Sequence, residues 1–414
     1  MLEKQNENKI QSMKQPSLNI GLVGHIDHGK TTILYRLTGV WADKHSEELK
    51  RGITIKLGYA DVYIHECEKC HQFTIEKKCP CGGNIKTVKY VSFIDAPGHE
   101  MLMATMLGGA AVIDGALLVI AANEPFPQPQ TKEHLLALEC KGVKQIIILQ
   151  NKVDLIDKKK ALEQFKQIKG FMKNTIAENS PVIPICAQQN VNLNKLLEKI
   201  NEIQAPERDT KSKPLFLIAR TFDVNKPGTT IEKLKGGILG GALKKGILKK
   251  GDIIEIKPGQ SIKKHDQKIY KTVKTKILAL KAGNNDLDEA FPSGSLAIQT
   301  DLDPNITKSD GLAGCVASLQ GSLPEIVSKI KIKITLFKEI VGSKESLKIG
   351  PLKTNEFLML SVNTSTTVGL VNTIKGDTAE LTLKIPVVPF VGDRLGIARN
   401  YSGHWRLIGW AEII

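Results

Sequence analysis

A chain of 414 residues, 41% of them hydrophobic, is long enough to form two or three domains with substantial cores. Its longest nearly apolar stretch, residues 110–122, is 13 residues long, whereas a membrane-spanning helix needs about 20. The polar first residues lack the apolar core of a secretory signal. We therefore predict a cytoplasmic protein that begins with a flexible tail over residues 1–16.

The net charge of +15 is unevenly distributed. The chain through residue 206 contains 26 basic and 22 acidic residues, and the remainder contains 32 and 21. RNA would explain the basic excess of the second half, because phosphate neutralisation supplies most non-specific nucleic-acid affinity. Only seven basic residues are Arg, so a Lys-rich composition without any RNA partner explains the charge equally well.

Predicted strands and helices alternate from residue 19 to about residue 203. This alternation favours a doubly wound α/β domain with a mostly parallel sheet, over residues 17–206, whose ligands bind at the carboxyl ends of the strands. The predicted strands are 19–24, 90–98, 115–124, 145–154 and 181–187, and the helices include 131–142 and 159–172.

A phosphate-binding loop is predicted by the segment GHIDHGKT, which matches GxxxxGK[ST] between a predicted strand and a predicted helix. Gly24 and Gly29 let the backbone wrap the phosphates, so that main-chain N–H groups face the negative charge. Lys30 would reach the β and γ phosphates, and Thr31 would ligate Mg²⁺. Because such a match arises by chance in roughly one chain of this length in fifty, further motifs are needed.

Asp95 and Thr54 are the predicted partners of this loop. Asp95 ends a strand in the segment DAPG, where its carboxylate would hold a Mg²⁺-bound water while the Gly98 N–H meets the γ phosphate. Out of context, such a segment is usually only a turn. Thr54 would be a second Mg²⁺ ligand that is released when the γ phosphate is lost, and its alternative is an ordinary buried strand residue.

A guanine site is predicted from NKVD and CAQ, which follow two further strands. The Asp154 carboxylate would accept hydrogen bonds from guanine N1–H and the 2-amino group, both of which adenine lacks. The alternative is that Asp154 only caps the following helix. The predicted contacts to GTP or GDP in these segments are Asn151, Lys152, Asp154, Cys186, Ala187 and Gln188.

A Cys-rich insertion over residues 65–85 predicts a structural zinc site. Cys67, Cys70, Cys79 and Cys81 follow the spacing CxxC-x8-CxC, and four thiolates suit a closed tetrahedral Zn²⁺ site. The second pair is one residue shorter than a regular knuckle. Two alternatives therefore stay open, a three-ligand site that includes His65 or His71 and no metal at all.

Beyond residue 206 the helical pattern gives way to short strands separated by glycines. This pattern predicts two β-barrel domains, over residues 212–325 and 326–414, joined near residues 323–332.

Taken together, the strings VGHIDHGKTT, RGITI, DAPGH and NKVD resemble the translational GTPases, the group that contains elongation factor Tu. Longer strings resemble the gamma subunit of archaeal and eukaryotic translation initiation factor 2. They include WADKHSEELKRGITIKLGYAD, AANEPFPQPQTKEH, FDVNKPGTTIEKLKGGILGGAL and HWRLIGW. This resemblance extends from about residue 19 to the end of the chain.

The resemblance implies a GTPase that carries initiator methionyl-tRNA to the small ribosomal subunit, with neither membrane nor DNA as a partner. It also implies a heterotrimer, in which the alpha subunit binds the second domain and the beta subunit binds the GTP-binding domain. The tRNA acceptor end would lie between these two domains of the chain.

The resemblance also assigns roles to individual residues. It implies a second Mg²⁺ near Asp27 and Gly52, and it makes His99 the catalytic residue that orients the attacking water. GTP contacts are implied for the whole phosphate loop, including Asp27, His28 and Thr32. Two positions depart from the family pattern. Cys186 replaces a usual Ser, and Arg399 is followed by Asn where a second Arg is usual.

Two rival functions remain open at this point. One is an elongator-type factor that delivers another aminoacyl-tRNA. The other is a regulatory or scaffold GTP-binding protein with no RNA ligand and negligible turnover.

Overall fold

The computed structural model of the chain describes residues 14–41, 54, 56–98, 103–226, 228–264, 267–339, 348–401 and 403–414. The predicted positions Gly52 and His99, and most of the predicted tail, lie outside these residues. Within the described residues, the chain divides between Pro206 and Glu207 into two compact units. No helix in the described ranges combines the length and apolarity needed to cross a membrane.

A seven-stranded sheet forms the centre of the first unit. Its strands are β1 (Leu18–Gly24), β2 (Gly58–Cys67), β3 (Phe73–Thr74), β4 (Ile85–Asp95), β5 (Gly115–Ala121), β6 (Gln145–Asn151) and β7 (Val182–Pro184). They lie in the order β3-β2-β4-β1-β5-β6-β7. The strands from β4 to β7 are parallel, whereas β2 and β3 are antiparallel. The predicted doubly wound, mostly parallel sheet is therefore confirmed.

Helices follow the parallel strands along the chain. They are α1 (Lys30–Thr38), α2 (Met103–Ala110), α3 (Pro129–Cys140), α4 (Lys158–Met172) and α5 (Leu193–Glu202). Apolar residues recur three and four positions apart in α1 and α5, which places them on one face of each helix. Those faces, with Leu34 and Leu197 at their centres, pack against Val91 and Phe93 of the sheet in one buried cluster.

Lys89 of β4 anchors the carboxyl end of α5. Its ammonium group donates to the carbonyl oxygens of Ile200 at 3.3 Å, Asn201 at 2.7 Å and Ile203 at 2.6 Å. The last carbonyls of a helix have no intrahelical partner and carry partial negative charge, so a cation at this position is favourable. One side chain therefore connects the last helix of the unit to the sheet.

Two closed barrels make up the second unit, as predicted. The first contains β8 (Leu215–Phe222), β9 (Ile238–Lys245), β11 (Ile253–Lys264), β12 (Gln267–Ala282), β15 (Ser295–Thr300) and β16 (Val316–Leu319), and it closes through the β11–β12 pairing. Smaller elements in it are β10 (Leu248–Lys249), β13 (Asn285–Leu287), β14 (Glu289–Ala290) and α6 (Pro304–Thr307).

The second barrel closes in the order β17-β20-β19-β18-β21-β22. Its strands are β17 (Val327–Leu336), β18 (Phe357–Val362), β19 (Ser365–Lys375), β20 (Thr378–Val387), β21 (Arg394–Tyr401) and β22 (His404–Ile413). Inward side chains alternate with outward ones along these strands. Each barrel therefore encloses its own apolar core.

Polar side chains of β11 anchor the segment that joins the barrels. The Leu323 N–H donates to Glu255 Oε1 at 2.9 Å. Lys257 Nζ donates to the carbonyl oxygens of Leu323 at 3.3 Å and Pro324 at 3.1 Å. Because both side chains are buried, the connecting segment is attached to the first barrel by charged hydrogen bonds.

We expect Lys89→Met to destabilise the first unit by about 2 kcal/mol, because three helix-terminal carbonyls lose a charged donor and hydrogen bonds to charged groups contribute about 1.5–3 kcal/mol. Urea unfolding of the GDP-bound protein measures the change. Lys86→Met is the matched control, because Lys86 is exposed on the same strand, and it should change stability by less than about 0.5 kcal/mol. Equal effects of the two substitutions would show that Lys89 does not anchor α5.

Candidate nucleotide-binding site

The predicted nucleotide-binding segments meet at the carboxyl ends of the parallel strands. The phosphate loop connects the end of β1 to the start of α1, and the predicted base-recognition residues follow β6 and β7. In doubly wound sheets this edge is where ligands bind. The topology therefore brings together motifs that are more than 120 residues apart in the sequence.

Gly29 begins α1 in a conformation that requires glycine. Its φ is 92°, and a Cβ atom there would lie 2.5 Å from Asn151 Nδ2. A larger residue would therefore be strained and would also displace Asn151. The glycine leaves the first N–H groups of α1 beside the loop, where the helix terminus attracts anions.

The Asn151 side chain connects the phosphate loop to the loop after β7. We call residues 186–188 of that loop the base-recognition loop. Its Nδ2 donates to the His28 carbonyl oxygen at 2.9 Å, and its Oδ1 accepts from the Ala187 N–H at 3.2 Å. Asn151 is 3% exposed, so both hydrogen bonds are shielded from water. The two loops are thereby held in a fixed relation to each other, whether or not Asn151 itself touches a base.

Lys30 lies over the inside of the phosphate loop. Its ammonium group donates to the carbonyl oxygens of Gly24 at 3.0 Å and His25 at 2.6 Å. A Cβ atom on Gly98 would lie 2.5 Å from Lys30 Nζ, so the segment after β4 approaches the lysine closely only because Gly98 has no side chain. The predicted pairing of these two segments is thus present in the structure.

Two predicted magnesium ligands, Thr31 and Thr54, lie beside Asp95, the residue predicted to hold a Mg²⁺-bound water. Thr31 Oγ1 donates to Asp95 Oδ2 at 2.7 Å, and it lies 3.2 Å from Thr54 Oγ1. Asp95 is fully buried and Thr54 is 8% exposed. Oxygen ligands of this kind, a carboxylate with two hydroxyls, are those that Mg²⁺ takes beside nucleotide phosphates. The donor set therefore fits the ion.

Asp154 lies where a base could be recognised, and it is not a helix cap. It is exposed in a short turn directly after Asn151. The cap of α4 is instead Asp157, whose Oδ1 accepts from the Lys160 N–H at 2.8 Å. Burial raises the pKa of the Cys186 thiol, and a hydrogen bond with Asp154 raises it further. Asp154 and the base-recognition loop are therefore neighbours.

The other predicted nucleotide contacts differ in how far their side chains are exposed. Asp27 is exposed with a φ of 59°, whereas the His28 side chain points into the protein and leaves only its backbone to face a ligand. Thr32 is the third residue of α1 and is partly buried. Lys152, two residues before Asp154, is partly buried as well. The predicted companions Gly52 and His99 lie outside the described residues.

Two buried histidines stabilise the phosphate loop, and only His28 belongs to the GxxxxGK[ST] motif. His28 is buried, with Nδ1 2.9 Å from the Val119 carbonyl oxygen and Nε2 3.3 Å from Glu124. His134 of α3 accepts the Gly24 N–H at 2.8 Å through Nδ1. Burial lowers the pKa of each to about 3. Both are therefore neutral: His134 Nδ1 accepts, as only an unprotonated ring nitrogen can, whereas His28 Nδ1 carries its proton and donates to the Val119 carbonyl oxygen.

Sequence reasoning missed His134, although the string TKEH contains it, because no local pattern connects it with Gly24. It also missed Arg36 of α1, which donates to the Gln188 carbonyl oxygen at 2.8 Å. That hydrogen bond steadies the base-recognition loop, whose predicted contact to guanine is a backbone N–H. The only sign of this contact in the sequence is that Arg36 is a basic residue in the last turn of a helix.

The four clustered cysteines converge at the end of the β2–β4 hairpin. Their sulfur atoms all lie within 4.8 Å of one another. The Cys79 and Cys81 sulfurs are 3.3 Å apart, despite the short CxC turn. His65 and His71 instead contact Thr87 and Glu66. A closed four-sulfur set of this kind suits Zn²⁺, and it favours the four-cysteine interpretation over the histidine alternative.

Arg399, at the position where the family pattern has a second Arg after it, is engaged within its own barrel. It donates to the Glu356 carboxylate and, at 3.0 Å each, to the carbonyl oxygens of Gly350 and Pro351. Its side chain is 12% exposed. The guanidinium therefore attaches the segment before β18 to the barrel.

Family comparisons identify the domain that contains this site. The profile of the Elongation factor Tu GTP binding domain matches residues 15–206, and that of the Initiation factor eIF2 gamma C terminal domain matches residues 328–413. Translation initiation factor 2 subunit gamma from Methanocaldococcus jannaschii is 52% identical over 98% of this chain and 99% of its own length. The subunit from Pyrococcus horikoshii is 50% identical over 97% and 98%.

Solved structures share the fold. A bacterial selenocysteine-specific elongation factor, EF-Sec, superposes with a TM-score of 0.73 at 22% identity, and this chain covers 58% of its length. Elongation factor SelB from Methanococcus maripaludis, crystallised with the GTP analogue GppNHp, gives 0.70 at 23% identity over 79% of its length. Given the close full-length relatives and the GTP-binding domain, the chain belongs to the translation initiation factor 2 subunit gamma family, and it is a GTPase of translation initiation.

Proposed function

We propose that the protein carries initiator methionyl-tRNA to the small ribosomal subunit in its GTP-bound state, and that hydrolysis switches it to the releasing state. The observation that carries the proposal is the contact of Thr54 with Thr31, beside Asp95. Thr54 lies between the phosphate loop and β2 in the chain. Because Thr54 would be a ligand of the metal, the segment that contains it would respond to loss of the γ phosphate.

In this proposal each group has one task in binding the nucleotide. Backbone N–H groups of the phosphate loop and Lys30 would hold the phosphates, while Thr31, Thr54 and Asp95 would hold Mg²⁺, directly or through water. The ion supplies charge neutralisation for phosphoryl transfer. Asp154 would accept from guanine N1–H and the 2-amino group, and a backbone N–H of the segment 186–188 would meet the guanine O6 atom.

Hydrolysis itself requires an oriented water rather than a strong base. His99 stays the predicted orienting residue, and Asp27 with Gly52 stays the predicted location of a second Mg²⁺. Both proposals rest on the family resemblance of the strings DAPGH and RGITI.

The partners of the protein are also proposals. A heterotrimer with alpha and beta subunits, docking on the small ribosomal subunit in the cytoplasm, is supported by the names of the close relatives, which are subunits of an initiation factor. The domain limits 17–206, 212–325 and 326–414 likewise remain proposals. They are supported by the core of each region.

We also propose a structural Zn²⁺ held by Cys67, Cys70, Cys79 and Cys81. The four sulfur atoms all lie within 4.8 Å of one another, a separation that suits four ligands of one metal ion. Because all four positions would be occupied by sulfur, the ion would have no open site for catalysis.

The carrier role predicts that GTP-bound protein binds initiator methionyl-tRNA more tightly than GDP-bound protein does. Affinity should also fall as salt rises, through counterion release. Filter binding with both nucleotides measures the difference, and elongator methionyl-tRNA is the control ligand. Equal affinity in the two nucleotide states would rule out the switch, and preference for the elongator would identify a different delivery factor.

The guanine assignment predicts that Asp154→Asn weakens GTP binding by roughly two to four orders of magnitude, because two hydrogen bonds to a charged acceptor are lost. Xanthosine triphosphate should bind this variant better than GTP, since the new amide can donate to its 2-carbonyl. Competition titrations measure both affinities.

Asp157→Asn is the matched control for this test. Asp157 caps α4 only three residues further along the chain, and Asn is an equally good cap, so nucleotide preference should not change. An unchanged preference for GTP in Asp154→Asn would show that Asp154 does not recognise the base.

The zinc assignment predicts one Zn²⁺ per chain by elemental analysis, and its loss in the double variant Cys67→Ser, Cys70→Ser. GDP affinity should be nearly intact, because none of the predicted nucleotide contacts lies in the insertion. Cys140→Ala, at a buried cysteine of α3, should keep the metal. Metal-free wild-type protein purified without chelator would refute the assignment.

A further inference from the structure

The four cysteines of the insertion form two pairs of neighbouring sulfur atoms. Cys67 Sγ lies 3.4 Å from Cys81 Sγ, and Cys70 Sγ lies 3.5 Å from Cys79 Sγ. The members of the first pair are 14 residues apart in the chain, and those of the second are 9 apart. Since a disulfide bond is about 2.05 Å long, each pair has to close by only about 1.4 Å to form one.

Each pair combines one exposed cysteine with one buried cysteine. Cys70 and Cys81 are exposed, whereas Cys67 and Cys79 are buried. A small oxidant in solution therefore reaches one member of each pair, and the buried member is in position to react with the product. Access to one sulfur and proximity of a second are the two conditions for oxidation to a disulfide.

The end of the β2–β4 hairpin holds Cys67 and Cys81 together. Cys67 is the last residue of β2, where it pairs with Ile85 of β4. A Cβ atom on Gly83 would lie 2.7 Å from Cys67 Sγ and 3.3 Å from Cys81 Sγ. The chain can therefore pass beside both sulfurs only because Gly83 has no side chain.

We propose that the insertion is a site of oxidation by peroxide, at which Cys67 becomes joined to Cys81 and Cys70 to Cys79. In each pair, peroxide oxidises the exposed thiolate to a sulfenic acid and is itself reduced to hydroxide. The buried thiol then attacks the sulfenic sulfur, which forms the S–S bond and releases water. Each disulfide thus consumes one peroxide, whose two electrons come from the two sulfurs.

The inference goes beyond the proposed zinc site, because the pairing depends on the chain and not on the ion. A Zn²⁺ held by the four cysteines would leave with its charge unchanged, since only a thiolate is a ligand. The disulfides would then take over its task as cross-links. Phe73 and Ile75, between the two halves of the cysteine motif, pack against the core of the first unit, so the insertion should stay attached.

Four cysteines allow three pairings, and the structure favours this one. A bond between Cys79 and Cys81, whose sulfurs are 3.3 Å apart, would close a ring over one intervening residue, in which the preferred disulfide torsion is hard to reach. It would also leave Cys67 to pair with Cys70, three residues away. The third pairing would join the two buried sulfurs to each other, where peroxide has the least access.

The other three cysteines are shielded from the same reaction. Cys140, Cys186 and Cys315 are all buried. They lie in three separate parts of the fold, which are α3, the loop after β7 and the first barrel. Oxidation should therefore be confined to the insertion, and the oxidised protein should bind GDP with the affinity of the reduced protein.

The test treats full-length, GDP-bound protein with hydrogen peroxide, alkylates the remaining thiols and digests it with trypsin for mass spectrometry without reduction. Trypsin separates Cys67 from Cys70 at Lys69 but leaves Cys79 and Cys81 in one peptide. The Cys67 and Cys70 peptides should therefore both be linked to that third peptide. A colorimetric chelator should record the release of bound Zn²⁺ in parallel, and dithiothreitol should restore the free thiols.

Two single variants identify the partners. Oxidised Cys81→Ser protein should contain the Cys70–Cys79 bond and an alkylated Cys67, whereas Cys70→Ser should contain the Cys67–Cys81 bond and an alkylated Cys79. Cys140→Ala is the control and should form both bonds.

Three results would overturn the proposal. They are a wild-type link between the Cys67 and Cys70 peptides, sulfinic acids without disulfides, and cysteines that peroxide leaves as free thiols. Protein stripped of metal by a chelator should form the same two bonds. A lack of zinc in the purified protein would therefore refute the zinc assignment alone, and bound zinc without disulfides would refute this inference alone.

Discussion

The nucleotide site depends on one buried amide. Asn151 satisfies a carbonyl group of the phosphate loop and an N–H group of the base-recognition loop at the same time. Both loops leave strands at a sheet edge where backbone groups have no ladder partner, and such groups are costly to bury unpaired. The amide carries a donor and an acceptor on two separate atoms at the same end of the side chain. It therefore fixes the distance between the two loops.

Much of the site could be predicted because its chemistry is local in sequence. The helix start at Gly29 and Lys30 and the strand end at Asp95 each come from a few adjacent residues with a definite backbone requirement. The two barrels were predictable for a similar reason, since glycine-separated strands with alternating side chains leave few other solutions. These elements are specified by short-range pattern, and the structure shows them where the pattern indicated.

The unpredicted parts are contacts between distant segments with no residue pattern of their own. His134 accepts a hydrogen bond from Gly24 across 110 residues, and Arg36 reaches Gln188 across 152. Lys89 was indistinguishable from other lysines until its strand was placed beside α5. Arg399 is a further case, since nothing in the sequence connects it with Glu356, 43 residues away, whose carboxylate it contacts.

The edges of the sheet in the first unit have a consequence for aggregation. An open sheet exposes unpaired backbone groups that can recruit strands of other molecules. At one edge, β7 has only three residues and ends in Pro184, which has no N–H to offer. At the other edge, β3 has two residues and lies within the cysteine-rich insertion. Since both barrels close on themselves, the sheets within the described residues present little template for intermolecular strand pairing.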